Sequence, residues 1–357
     1  MYKNFFMGIA AMAALTLVSC SSDDLNSFSD NSSKNEAISF DGYLGRSAVA
    51  VNGSRGSVLE ITDLQNSTEG FGVFGKHTNG QVNDYNFFKN QPVTYKNSKW
   101  TYSPLKFWPT QGSIDFLAYA PYVKGQKLND YTSTFVFTVE NEVAKQTDLL
   151  WANAKGQTKD NISSTEKKVK FHFAHALSRL GYTVKLYGDY ASNADFTLNQ
   201  ITLAGSADGK TLAFYKTGTI DLSKTTSEGL WSNQSSDKQN FDWVSTPYSV
   251  TSTEPSTKDK NYLFVIPQDF SQSKTEGHQD VDELYVIVKY TIKYKNNDET
   301  QINKVYKKLP IKFEQGKAYM LNLTIGLPIE FDAEVTPWGN DIVIPDGKDI
   351  DTWDGIE

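Results

Sequence analysis

Apolar and polar residues alternate along most of this chain with a period of two, and helical periodicity is rare. Residues 113–120 show the pattern clearly. Ile114, Phe116 and Ala118 fall on one face, and Asp115, Leu117 and Tyr119 on the other. Nearer the N-terminus, Ile38, Phe40 and Leu44 alternate with Ser39, Asp41 and Tyr43, as a half-buried strand does. Residues 70–75 (GFGVFG) read as a buried strand whose glycines mark a close approach of another backbone. Residues 93–102 fit a hairpin turning at Asn97-Ser98. Further strands are expected at 134–139, 169–173, 180–186, 198–204, 262–266, 283–294, 302–311 and 318–325. Asn296-Asn297-Asp298 reads as a hairpin turn, with Lys289, Lys293 and Lys295 on a solvated face.

Many short strands punctuated by Gly, Asn, Asp and Pro predict an all-β chain built as sandwiches. One sandwich is too small for the length, so two in tandem are expected. The polar stretch 153–168 is the natural boundary, giving an N-terminal sandwich over 38–165 and a C-terminal one over 166–345. The stretch 234–259 reads as a long polar loop inserted in the second.

The N-terminus carries a different signal. Lys3 precedes an apolar run over residues 5–18, which is too short to span a bilayer, a task needing about 20 residues. Small residues then lead into Leu17-Val18-Ser19-Cys20, so residues 1–19 read as a secretory signal. Those four residues resemble the lipobox of bacterial lipoproteins, in which the thiol takes a diacylglyceryl group and the freed amine is acylated. Cys20 is the chain's single cysteine. A lone thiol forms no internal disulfide and is a liability on an exported protein, which favours lipidation over a chance cysteine. Several acyl chains attach a protein stably to a membrane where one does not. Ser21-Ser22-Asp23-Asp24 resembles the surface-export signal of Bacteroides-type lipoproteins. Residues 20–37 are too polar to fold and read as a flexible tether.

Composition narrows the function. The net charge is −7, with no basic stripe, which excludes nucleic acid as a partner. Catalytic chemistry is missing from the sequence. His172 and His175 fall on opposite faces of one strand and cannot share a metal. With Cys20 lipidated no thiol nucleophile remains, and no Gly-x-Ser-x-Gly elbow occurs. No enzyme activity, cofactor or metal is therefore expected. Trp231, Phe241, Trp243 and Tyr248 lie in or near the polar stretch. They read either as anchors pinning it to its own sandwich or as platforms for sugar rings in a surface glycan-binding lipoprotein.

Several ordered segments carry a family likeness. They are Phe107-Trp108-Pro109, Ile114-Asp115-Phe116-Leu117-Ala118-Tyr119-Ala120-Pro121, and Asp148-Leu149-Leu150-Trp151-Ala152. Val169-Lys170-Phe171-His172-Phe173-Ala174-His175-Ala176-Leu177-Ser178-Arg179-Leu180, Val265-Ile266-Pro267-Gln268 and Val335-Thr336-Pro337-Trp338 follow. In this order the chain resembles the fimbrillin superfamily, the type V pilus proteins of Bacteroides-like bacteria. The resemblance implies two transthyretin-like β-sandwiches and arrival on the outer membrane as a lipoprotein. It also implies an Arg-specific protease that removes the tether and first strand, and a groove that then accepts a strand from the next subunit.

The residues fit that scheme. Of 35 basic residues only three are arginine. Arg46, in Leu44-Gly45-Arg46-Ser47, and Arg55, in Gly53-Ser54-Arg55-Gly56, both follow the strand of Ile38, Phe40 and Leu44. Arg179 falls within a strand and is expected to be shielded. An ordinary loop arginine remains an equal reading of Arg46. Burying those three apolar side chains contributes roughly 1.5–3 kcal/mol each, so losing the strand would cost about 5–8 of the 5–15 kcal/mol typical of a domain. Residues 346–357 form an acidic tail with Ile350, Trp353 and Ile356. Extended, it reaches about 40 Å, and it reads equally as a donor segment or as a disordered extension. The expectation is a structural subunit of a cell-surface fimbria that joins other pilus subunits. A glycan-binding surface lipoprotein and a non-polymerising pilus anchor are the alternatives.

Overall fold

A computed structural model describes residues 36–44, 59, 61–81, 83–130, 132–162, 167–188, 190–234, 236–253, 262–272, 281–296, 299–325, 330–337 and 354–355. Cys20, Arg46, Arg55, Ile350, Trp353 and Ile356 lie outside these residues.

The chain is nearly all β. Its first half runs through β1 (Phe40–Leu44), helix α1 (Ile61–Asn66), β2 (Phe71–Thr78), β3 (Asn83–Lys96), β4 (Lys99–Thr101) and β5 (Ser113–Ala120). Then come β6 (Thr134–Thr138), β7 (Leu150–Gln157) and β8 (Val169–His175). All of these strands but β6 join one sheet in the order β1-β8-β7-β5-β2-β3-β4. The sheet curls until its end strands β1 and β4 meet around an aromatic core. β3 and β4 form the expected hairpin. Asn97 and Ser98 both take left-handed backbone angles, with φ of 51° and 61°, as a tight two-residue turn requires. Gly70 enters β2 at a φ of +61°, and a Cβ there would lie 2.0 Å from the carbonyl oxygen of Val93. Only glycine permits that approach.

β5 carries its alternating pattern into two cores at once. Ile114, Phe116 and Ala118 belong to the core inside the first sheet, while Leu117 and Tyr119 belong to a second, larger core. The second half of the chain builds that core. It comprises β9 (Ser178–Leu186), β10 (Ala194–Ala204), β11 (Phe214–Tyr215), β12 (Thr217–Asp221), β13 (Trp231–Ser232), β14 (Lys238–Gln239), β15 (Phe241–Val244) and β16 (Tyr248–Val250). These are followed by β17 (Leu263–Val265), β18 (Gln268–Asp269), β19 (Tyr285–Tyr294), β20 (Thr300–Lys308), β21 (Lys312–Phe313), β22 (Lys317–Ile325), β23 (Glu330–Pro337) and β24 (Asp354–Gly355). One sheet runs β17-β9-β22-β23 and the other β15-β10-β19-β20-β24, with β16 also on β10. Their apolar faces share one cluster, the arrangement of a sandwich. β6 leaves the first half to pair with β12.

Two segments differ from the sequence reading. The strand at 169–173, assigned above to the second sandwich, lies between β1 and β7 in the first sheet. Its Val169, Phe171 and Phe173 are buried in the first core. The stretch 234–259, expected as a long loop, contains β14, β15 and β16, and β15 and β16 both pair with β10. Its polar composition hid two short apolar edges, around Phe241 and Val250.

Candidate functional site

β1 is an edge strand. It pairs parallel to β8 with Phe40 opposite Val169 and Leu44 opposite Phe173. Among the described residues, its other side is held only at its N-terminal approach. Ala37 bridges Phe107, the Ile38 N–H donates to the Lys106 carbonyl at 2.8 Å, and the Tyr102 hydroxyl donates to the Ile38 carbonyl at 2.8 Å. The segment 37–44 therefore fills a slot between β8 and residues 102–107.

Period-two alternation decides which side chains enter the slot. Ile38 is 1% exposed and Phe40 2% exposed. The Phe40 ring lies 5.4–5.6 Å, centroid to centroid, from Phe88, Tyr102, Phe116 and Phe171. Gly42 is also buried, facing Phe71, Phe173 and Trp100. Leu44 is half-buried against the same core. The outer face is polar and open. Asp41 accepts from its neighbour Tyr43 at 2.9 Å and faces Lys168 at 3.6 Å, while the exposed Tyr43 ring stacks on His172.

Downstream of β1 the next described residue is Leu59, so both candidate arginines fall in the connection between them. Leu59 is fixed by a buried group the sequence did not reveal. Asp148, 1% exposed, accepts the Leu59 N–H at 3.0 Å on the oxygen that also meets His175 Nδ1 at 2.9 Å. A buried carboxylate needs such partners to offset its lost hydration. The connection is thus bracketed, with β1 in its slot at one end and Leu59 on Asp148 at the other. A cut between them would leave the downstream end anchored and the upstream piece held by the β1 contacts. Separation by 27 residues made the Asp148–His175 pair unreadable from sequence, although both lie beside apolar strand residues. His172 faces outward and His175 inward, as their spacing predicted.

The four aromatics weighed as sugar platforms are spent elsewhere. Phe241 is fully buried, and Trp243 is 5% exposed with its ring 5.1 Å from Tyr182. Trp231 and Tyr248 are half-buried, and the Trp231 indole donates to the Ala176 carbonyl at 2.8 Å. Arg179 lies in β9 with its guanidinium 4.5 Å over the Tyr262 ring.

The comparisons with known proteins agree in kind. A family model described as fimbrillin-like matches residues 59–338, so the match opens at the residue held by Asp148. The fimbrium subunit Fim1C of Phocaeicola vulgatus is 27% identical over 195 residues, which is 48% of this chain and 49% of that protein. The chain thus aligns with about half the length of that relative. A solved fimbrial protein from Bacteroides vulgatus shares the fold with a TM-score of 0.63 at 19% identity, covering 85% of this chain and 100% of that one.

Proposed function

Since the chain belongs to the fimbrillin-like family, we propose that it is a structural subunit of a cell-surface fimbria, assembled by protease-triggered strand exchange. In this reading Cys20 carries the lipid that holds the precursor on the outer membrane. An Arg-specific protease cuts after Arg46 or Arg55 and frees the tether with the strand of Ile38, Phe40 and Leu44. A strand from another subunit then fills the slot, and the acidic tail with Ile350, Trp353 and Ile356 is the proposed donor. Filament growth on the cell surface would support adhesion.

The observation that supports this best is the burial of Ile38 and Phe40 by a strand that, among the described residues, is hydrogen-bonded along only one full edge. Such a strand is replaceable by another of matching alternation, through main-chain pairing plus side-chain pockets. A tandem arrangement of two transthyretin-like sandwiches is part of the proposal. Its support is a repeated feature: β1 pairs parallel with β8, and β9 pairs parallel with β22.

Electron microscopy of a strain expressing the protein tests this reading. Filaments are expected with the natural sequence and none when Arg46→Ala and Arg55→Ala are combined. Filaments of unchanged number and length in that variant would remove the processing step from the account. Lipoprotein on the surface with no filament in either strain would favour the anchor reading.

A further inference from the structure

One concavity outside the β1 slot collects several polar groups that have no partner among the described residues. It opens on the face of the first sheet turned away from Phe40 and has a volume of about 240 Å³. Three charged residues cross it in a row. Lys76 on β2 stands opposite Asp115 on β5, and Lys155 on the neighbouring β7 completes the lining. Among the described residues neither ammonium forms an ion pair. The Lys76 ammonium rests 4.5 Å from the centre of the Tyr85 ring, which holds it at the concavity. Asp115 spends one oxygen on the Gly156 N–H at 2.7 Å. The row therefore keeps an unmatched positive charge, in a chain whose net charge is −7.

The opposite wall is built by fixed backbone. The Asn153 amide of β7 donates to the carbonyls of Leu222 and Lys224 at 2.9 and 2.7 Å, and the Leu222 N–H donates to the Ser133 carbonyl at 2.9 Å. These bonds seat Ser133 and Ser223 at the rim, and neither hydroxyl has a partner among the described residues. Leu117 and Leu128 supply apolar surface between the two walls.

The concavity thus offers two ammonium donors, two hydroxyls, one free carboxylate oxygen and an apolar patch. A neutral sugar leaves the ammoniums unmatched. A bare inorganic anion leaves the leucines and Asp115 unused. A pyranose ring carrying a carboxylate matches every group: its acid meets the lysines in charge-assisted bonds, its hydroxyls meet Asp115 and the serines, and its C–H face meets the leucines. We propose that this concavity binds an acidic sugar residue of a glycan, of the uronic- or sialic-acid type. No residue of the proposal lies on β1 or in its slot, so it stands or falls apart from strand exchange.

Calorimetric titration of the purified full chain tests it, with glucuronic acid, N-acetylneuraminic acid, glucose and sodium sulfate as separate ligands. At least one of the two acids is expected to bind saturably, about tenfold or more tighter than glucose or sulfate, the scale of one charge-assisted bond. Lys155→Ala and Lys76→Ala should each weaken that binding about tenfold. Lys293→Ala, on the distant β19–β20 hairpin, should leave it unchanged. Lys155 is exposed, so its variant should keep the parent melting temperature and separate lost binding from lost folding. Failure of both acids to bind saturably would overturn the proposal. So would equal affinity for glucose or sulfate, or full affinity in the two lysine variants.

Discussion

Phe40 carries more of the first core than any other residue of β1, because four aromatic rings surround it. Phe40→Ala should lower the stability of the uncut chain by about 3–5 kcal/mol, the cost of a lost buried phenyl ring, measured by urea denaturation. Tyr43→Ala, one face over and exposed, should cost less than about 1 kcal/mol. Two other aromatics make stability depend on alkali. Burial pushes the Tyr119 and Tyr319 phenols up from 10.0 to about 12. Below pH 10 both are neutral in the folded and the unfolded chain, so stability does not depend on them. Between 10 and about 12 the unfolded chain ionises first, and stability falls as pH rises. The urea midpoint should therefore drop between about pH 10 and pH 12, and Tyr119→Phe should flatten that drop. An equal slope in the variant would deny Tyr119 the role. At this scale the sequence was readable where a rule is local. Alternation exposed Ile38 and Phe40, and their spacing put His172 and His175 on opposite faces. Asp148 was not readable, because its partners come from Leu59 and His175, and only the fold brings them together.

Among the elements, β1 and β9 make a useful contrast. Each pairs parallel with a later strand, but β9 is also paired along its other edge by β17. Among the described residues β1 has only a short bridge there, so its release disturbs one sheet edge while release of β9 would split a sheet. Ile38 and Phe40 are fully buried and Leu44 half-buried, so the strand contributes about 4–7 kcal/mol of apolar burial. That is slightly below the figure expected when all three were taken as buried, and it is itself an upper bound. It is still a large share of a domain's stability, so an emptied slot should recruit another strand. Strands whose apolar residues recur every second position, such as β5 and the β3–β4 hairpin, were legible in the sequence. β15 and β16 were not, because each is only a few residues long within a polar stretch. β8 was legible as a strand but not as a member of the first sheet, since that depends on which earlier strands it meets.

At the scale of the whole molecule, one structural body carries two separate surfaces. The β1 slot would govern joining of subunits, and the concavity of Lys76 and Lys155 would govern what the surface touches. The central claim is that β1 is a plug another molecule can replace. Light scattering after size exclusion tests it most directly, on the purified chain treated with an Arg-specific protease, with and without a synthetic peptide of residues 37–44. The account predicts release of the N-terminal segment, growth of oligomers, and suppression of that growth by excess peptide, which refills the slot. A chain cut after Arg46 or Arg55 that stays monomeric and keeps its N-terminal strand bound, or oligomers indifferent to the peptide, would contradict it.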